Sequence, residues 1–202
     1  MAEEKQLLLV QAQVITPTSA AELDADIRAF FDERDASSWS LRRVAWSPTL
    51  SEVYVYLETS AALADAVSLP FAWASNVRIS RLEQVFDTPG ISHGAEARFH
   101  YVVEMDPEDG WMPEISRWYD TEHMPGLAAV PGCIRATRFL NHGHGPLSLA
   151  CYDLTEAEAL GSAPWLAVRA TAWSDVARPH FTNTKRTMFD VPLAVPPGPL
   201  KP

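Results

Sequence analysis

Short alternating stretches and helical periodicities follow one another along the chain, and their order repeats. Residues 6–14 form an apolar run that predicts a strand. Thr18 or Ser19 can cap a helix through about Arg34, with Leu23, Ile27, Phe30 and Phe31 at helical spacing. Strands are predicted around 40–46 and 52–57, then a helix over 60–67 and a strand over 77–86. The second half reads the same way: a strand over 98–105, a helix over 111–123, strands over 133–139 and 147–154, a helix beginning at 155–160 and a strand near 185–191. The order is β-α-β-β-α-β, twice.

Local matches fall in the same order. Phe30-Phe31-Asp32 parallels Trp118-Tyr119-Asp120, Leu41-Arg42-Arg43-Val44-Ala45-Trp46 parallels Ile134-Arg135-Ala136-Thr137-Arg138-Phe139, and Val55-Tyr56-Leu57-Glu58-Thr59 parallels Cys151-Tyr152-Asp153-Leu154-Thr155. An internal duplication is the preferred reading, with a first unit at 1–86, a linker at 87–95, a second unit at 96–191 and a Pro-rich tail at 192–202. The linker carries Pro89, Gly90 and Gly94 and little periodicity, though a long loop within one domain has the same composition.

Composition narrows the function classes. With 26 Asp+Glu against 16 Lys+Arg and no basic cluster, nucleic acid is not an expected partner. No apolar run is long enough to span a bilayer, so no membrane partner is expected either. Residues 1–5 do not read as a signal peptide and the two cysteines form no framework, so a reducing cytoplasm is the expected setting. Gly-rich phosphate loops, nucleophile elbows and Cys-x-x-Cys pairs are absent from the sequence. His142-Gly-His144-Gly supplies only two ligands at a turn, so no metal is assigned.

The most distinctive stretch is Trp118-Tyr119-Asp120-Thr121-Glu122-His123-Met124-Pro125, followed by Val130-Pro131-Gly132 and an arginine-bearing strand. Pro113 suits a first helical turn, and Pro125 predicts that the helix stops near His123. At a helix C-terminus beside Asp120 and Glu122, His123 is expected to titrate near neutral pH and to move a proton. The alternative is a plain C-terminal cap.

These segments resemble the dimeric α+β barrel superfamily, especially its EthD-like members. The resemblance is strongest over about 96–191. It implies an α+β fold of two ferredoxin-like units, here fused in tandem, whose antiparallel sheets pack face to face as a barrel. Helices would lie outside, with a small-molecule pocket within or beside each unit. The superfamily includes cofactor-free isomerases, cyclases and lactone-processing enzymes, monooxygenases and haem-degrading proteins. It assigns His123 as the functional histidine. Asp35 stands at the approximate counterpart in the first half, so chemistry is expected in the second half only.

In such a barrel Phe99, Tyr101, Val103 and Met105 would face helices, while His100 and Glu104 would face the cavity. Arg135 and Arg138, three apart, face opposite sides; Arg138 is favoured as the oxyanion partner, with His100 assisting. Trp165, Arg169 and Trp173 are spaced for one helical face. Trp118, Tyr119, Trp165 and Trp173 make a candidate aromatic wall, with His180 or Asn183 supplying hydrogen bonds. The alternative is a core stripe with a snorkelling arginine.

The reading that follows is a cofactor-free isomerase, lyase or cyclase acting on a small aromatic or unsaturated carbonyl compound, with His123, Arg138 and His100 as catalytic groups. The alternatives are a non-catalytic small-molecule-binding accessory protein, and a haem-binding or cofactor-free monooxygenase. A homodimer of such two-unit chains is the further expected partner.

Overall fold

The computed structural model describes residues 5–16, 18–32, 39–60 and 70–192. The first half contributes β1 (Lys5–Val14), α1 (Ala20–Asp32), β2 (Trp39–Ser47), β3 (Glu52–Ser60) and β4 (Ala74–Pro89). A capping box starts α1: the Ser19 N–H and hydroxyl donate to Glu22, whose own N–H donates back to the Ser19 hydroxyl. Of the helix predicted over 60–67, Ser60 ends β3; residues 61–67, Asp35 and the tail from 193 onward lie outside the described residues.

The second half contributes β5 (Phe99–Pro107), α2 (Met112–Trp118), a wide turn at Tyr119–His123, α3 (Met124–Ala128), β6 (Cys133–Asn141) and β7 (Ser148–Leu154). Then follow a short 3-10 turn, α4 (Ala163–Arg169), α5 (Ala172–Ala177) and β8 (Phe181–Asp190). The eight strands close antiparallel in the order β1-β3-β2-β8-β5-β7-β6-β4. Read from β4, each half runs 4-1-3-2, the ferredoxin-like order. The long strand β4 joins the halves, because its first part pairs with β1 and its last part, through Pro89, pairs with β6. Residues 87–89 are therefore strand where the sequence reads as linker. At the other seam β2 and β8 share one pair, Trp46↔Asp190. Next to β4, Gly90 lies so close to β6 that a Cβ there would stand 2.2 Å from the Cys133 carbonyl oxygen. Only glycine fits that approach.

Alternation sorts side chains into three layers. Outside the first half, Leu8, Val10 and Val55 pack against Leu23, Ile27 and Phe31 of α1. Outside the second half, Tyr101, Met105 and Tyr152 pack against Ile115, Trp118, Leu127 and Trp165. Leu9, Tyr54, Tyr56, Val102, Phe139 and Phe189 fill the barrel itself. No helix among the described residues is long and apolar enough to cross a membrane.

Two expected helices are revised. The helix containing His123 does not stop there. Met124 keeps helical dihedrals ahead of Pro125, and its N–H reaches back to the Tyr119 carbonyl in one i→i+5 turn. The widened turn accommodates Pro125, which has no N–H to donate. The stripe Trp165–Arg169–Trp173 is also broken: α4 ends at Arg169, and the Thr171 hydroxyl accepts the Ser174 N–H to start α5.

Candidate functional site

The wide turn determines where His123 points. It brings the imidazole over the Trp118 ring, 4.2 Å between centroids and 24° apart, with Tyr119 edge-on at 5.6 Å. Tyr101 and Val103 of β5, Tyr152 of β7 and Phe181 of β8 close the opposite side, and Trp165 and Arg169 of α4 complete the wall. The cavity between sheet and helices measures about 30 Å³, enough for a water-sized group.

Three buried nitrogens on its lining residues have no hydrogen-bond partner among the described residues: His123 Nδ1, Trp118 Nε1 and Trp165 Nε1. Such orphans are uncommon in folded proteins and mark a site in need of a partner. Arg169, Arg178 and Arg186 also line the cavity, and none has a carboxylate within ion-pair distance among the described residues. Burial, then the charges of Arg169 and Arg186, hold the Arg178 guanidinium below its usual pKa. The cavity is thus aromatic-walled and electropositive.

His123 is only 7% exposed. Burial first, then Arg178 and Arg169, push its pKa down to about 3. This corrects the expectation of a near-neutral titration. With the helix continuing to Ala128, the negative end of the helix dipole is elsewhere, and two cations replace the carboxylates as dominant neighbours. The unfolded value is near 6.5, so as pH falls the unfolded chain binds the proton first. Stability carried by neutral His123 is complete above about pH 6.5 and is lost toward pH 3, at about 1.4 kcal/mol per pH unit. Between pH 7 and pH 5 the wild type should lose about 2 kcal/mol more than His123→Gln. Urea unfolding at the two pH values measures this; equal losses would show that His123 is not buried neutral.

The remaining predicted site residues divide. Trp118, Tyr119, His123 and Trp165 meet at the cavity. Arg138 does not join them; it faces the helices rather than the barrel interior. Its guanidinium bonds to Asp120 at 3.0 Å and lies 5.5 Å over the Tyr119 ring, so it braces the cavity wall from behind. Arg135 is the arginine of that strand that faces the interior, paired with Asp87. Alternation with Thr137 and Phe139, both interior, sets this parity, and the register shift between Cys133 and Arg135 leaves Cys133 on the opposite face. His100 lies on the other side of the sheet from His123, inside the barrel, bonded to Tyr56 and Asp153. Glu104 is also interior and accepts the Tyr54 hydroxyl at 2.8 Å; burial raises its pKa.

Trp173, His180 and Asn183 lie away from the cavity lining. Trp173 donates to Glu114, His180 stacks on Trp111 and bonds to Glu108, and Asn183 donates to Asp106. His142, in the turn read as a weak metal hint, pairs with Glu83.

No protein-family model matches this chain, and no curated protein matches it in sequence. Solved structures do match. An anthrone oxidase-like protein superposes with a TM-score of 0.68 at 12% identity, covering 95% of this chain and 93% of that one. A Listeria monocytogenes ferredoxin fold protein related to antibiotic biosynthesis monooxygenases gives 0.52 at 8% identity, over 95% and 96%. A heme-degrading enzyme, also from Listeria monocytogenes, gives 0.52 at 7% identity, over 92% and 99%. The chain shares the ferredoxin-like fold of these structures. At these identities the likeness extends to the fold alone.

Arg178 and Arg186 were not singled out in the sequence. Arg186 was legible as an alternating position on β8. Arg178 was not, because it is carried by the short turn between α5 and β8.

Proposed function

We propose that this chain is a cofactor-independent enzyme that removes a proton from a carbon made acidic by a carbonyl group in a small aromatic compound. The observation that carries this reading is a buried His123 whose Nδ1 has no partner among the described residues, on an aromatic cavity bordered by three arginines with no carboxylate in ion-pair distance among those residues; burial and the arginine charges favour its neutral form. A neutral imidazole is the form that accepts a proton. Its basicity in the free protein is low, because burial and the arginines oppose the cation. A substrate oxygen that becomes negative against Arg169, Arg178 or Arg186 supplies the missing counter-charge. The carbon's proton passes to His123 while its electron pair moves onto that oxygen. Trp118, Tyr119 and Trp165 would hold the ring. Admission of a ring requires the cavity to open, and the exposed Arg186 is the lining residue freest to move.

Two fates of the enolate are open to this chemistry. Return of the proton to another carbon gives isomerisation. Reaction with dioxygen converts a CH2 group to a carbonyl and releases water, and the names of the structural neighbours favour this second fate. Haem does not fit at His123, because the imidazole that would ligate iron is covered by the Trp118 ring. No step is assigned to it. The repeated strand order and matched segments further support reading the two halves as tandem copies, the first structural and the second bearing the site.

The test uses anthrone, an enolisable aromatic ketone, as probe. Deuterium incorporation at its CH2 group and dioxygen uptake are followed against the buffer rate. Enzyme-dependent exchange with oxygen uptake supports the oxygenase fate, and exchange alone supports isomerisation. Neither, with anthrone bound at the cavity by NMR, would overturn the catalytic reading in favour of a binding protein.

A further inference from the structure

The barrel interior holds a second cavity, of about 440 Å³, that the proposed chemistry does not use. Seven of the eight strands contribute to its lining. Its lining combines apolar Leu7, Phe139 and Cys151 with a chain of hydrogen-bonded polar groups. Asp153, 8% exposed, accepts from the Arg43 guanidinium at 2.5 Å and bonds to His100 Nδ1 at 2.7 Å. A carboxylate on Nδ1 places the ring proton there and leaves Nε2 as an acceptor. Tyr56 stands 3.0 Å from Nε2, so its hydroxyl donates to the ring; the Cys151 thiol lies 3.9 Å from the same oxygen, and one lone pair remains to accept.

Each arginine of the lining is ion-paired: Arg42 with Glu58, Arg43 with Asp153 and Arg135 with Asp87. Arg43 nevertheless keeps a buried Nη1 with no partner among the described residues. Arg42 and Arg135 are exposed, and Arg43 is held further in.

We infer that this cavity is a second binding site, for a small aromatic hydroxy-carboxylate. The carboxylate meets Arg43 and Arg135, the ring lies against Phe139 and Leu7, and the ligand hydroxyl donates to the Tyr56 oxygen. Tyr56, His100 and Asp153 then form one directed chain of hydrogen bonds that withdraws proton density from that hydroxyl. A hydroxyl is required because Tyr56 has spent its only proton on His100. A carboxylate is required because the spare donors in the cavity are guanidinium N–H groups.

The test is an NMR titration of the 15N-labelled protein with 4-hydroxybenzoate, benzoate and 4-hydroxybenzamide. The expected result is that 4-hydroxybenzoate shifts the amides of β3, β5 and β7 and binds tightest of the three. Tyr56→Phe should weaken it about five- to tenfold, the worth of one hydrogen bond, and leave benzoate unchanged. Arg135→Gln, at the exposed mouth, should weaken both carboxylates and leave the amide unchanged, with the buried chain intact. His123→Ala should alter none of these affinities, which separates this site from the cavity beneath the helices. Equal binding of 4-hydroxybenzoate to wild type and Tyr56→Phe would overturn the inference, as would shifts confined to α2, α3 and α4 or no shifts at all.

Discussion

Replacing His123 with alanine lowers enzyme-dependent deuterium exchange of anthrone at least about 100-fold, the usual contribution of a positioned general base. The substitution should leave anthrone affinity within a fewfold, because Trp118, Tyr119 and Trp165 keep the wall. Loss of kcat without loss of binding is the signature of an interaction made in the transition state. His123→Gln preserves a hydrogen-bonding side chain without a proton-accepting ring nitrogen, and should be equally inactive. If His123→Ala retained the wild-type exchange rate, the base would have to be another group and the proposed function would fail. The arginines give an internal control. Arg186→Gln, at an exposed position, should reduce exchange while leaving stability near wild type, since it removes counter-charge from the oxygen and no core packing.

The second large effect is on stability. Asp153→Ala should destabilise the fold by about 3 kcal/mol, because it leaves Arg43 and the His100 N–H without their shared acceptor. Burial alone would raise the Asp153 pKa, yet the His100 hydrogen bond and the Arg43 charge together hold it below the usual carboxylate range. The native state therefore favours the ionised carboxylate despite its setting. Asp153→Asn, which keeps one acceptor but not the charge, should cost less. Urea unfolding at pH 7 measures both. A cost below about 1 kcal/mol for the alanine variant would show that solvent in the adjoining cavity replaces the carboxylate. This variant also separates stability from the proposed chemistry, since Asp153 lies on the far side of the sheet from His123.

Much of the framework was legible because it depends on local periodicity. Alternation along β5 assigns Tyr101 and Met105 to the helix layer and His100, Val102 and Glu104 to the interior. Ser19 and Glu22 mark the start of α1 through their reciprocal bonds. What periodicity could not supply was any event that breaks it. Pro125 reads as a stop signal, yet packing of Met124 and Leu127 into the core carries the helix onward through a wider turn. The register shift before Arg135 puts Cys133 and Arg135 on opposite faces although they are two apart, and no residue type announces it. Trp165 and Trp173 share a spacing but not a helix, because Thr171 starts a new one between them.

The candidate site shows the same division. Trp118, Tyr119, His123 and Trp165 are prominent in the sequence by type, and the structure gathers them around one cavity. His100 is equally prominent, but the sheet separates it from His123, because alternate residues of a strand face opposite sides. Arg178 enters the site only through tertiary contact, whereas the face of Arg186 follows from alternation along β8.

By itself, then, the sequence determined two rounds of strand and helix, the faces of the regular strands and the chemical types available. Those follow from backbone periodicity and local capping, which act over a few residues. Barrel closure, the wide turn at His123, the shifted register of β6 and the convergence of three arginines were decided by the tertiary structure. Each depends on contacts between residues distant in sequence. The protonation state of His123 belongs with them, because it is set by burial and by charges brought from α4 and the turn before β8.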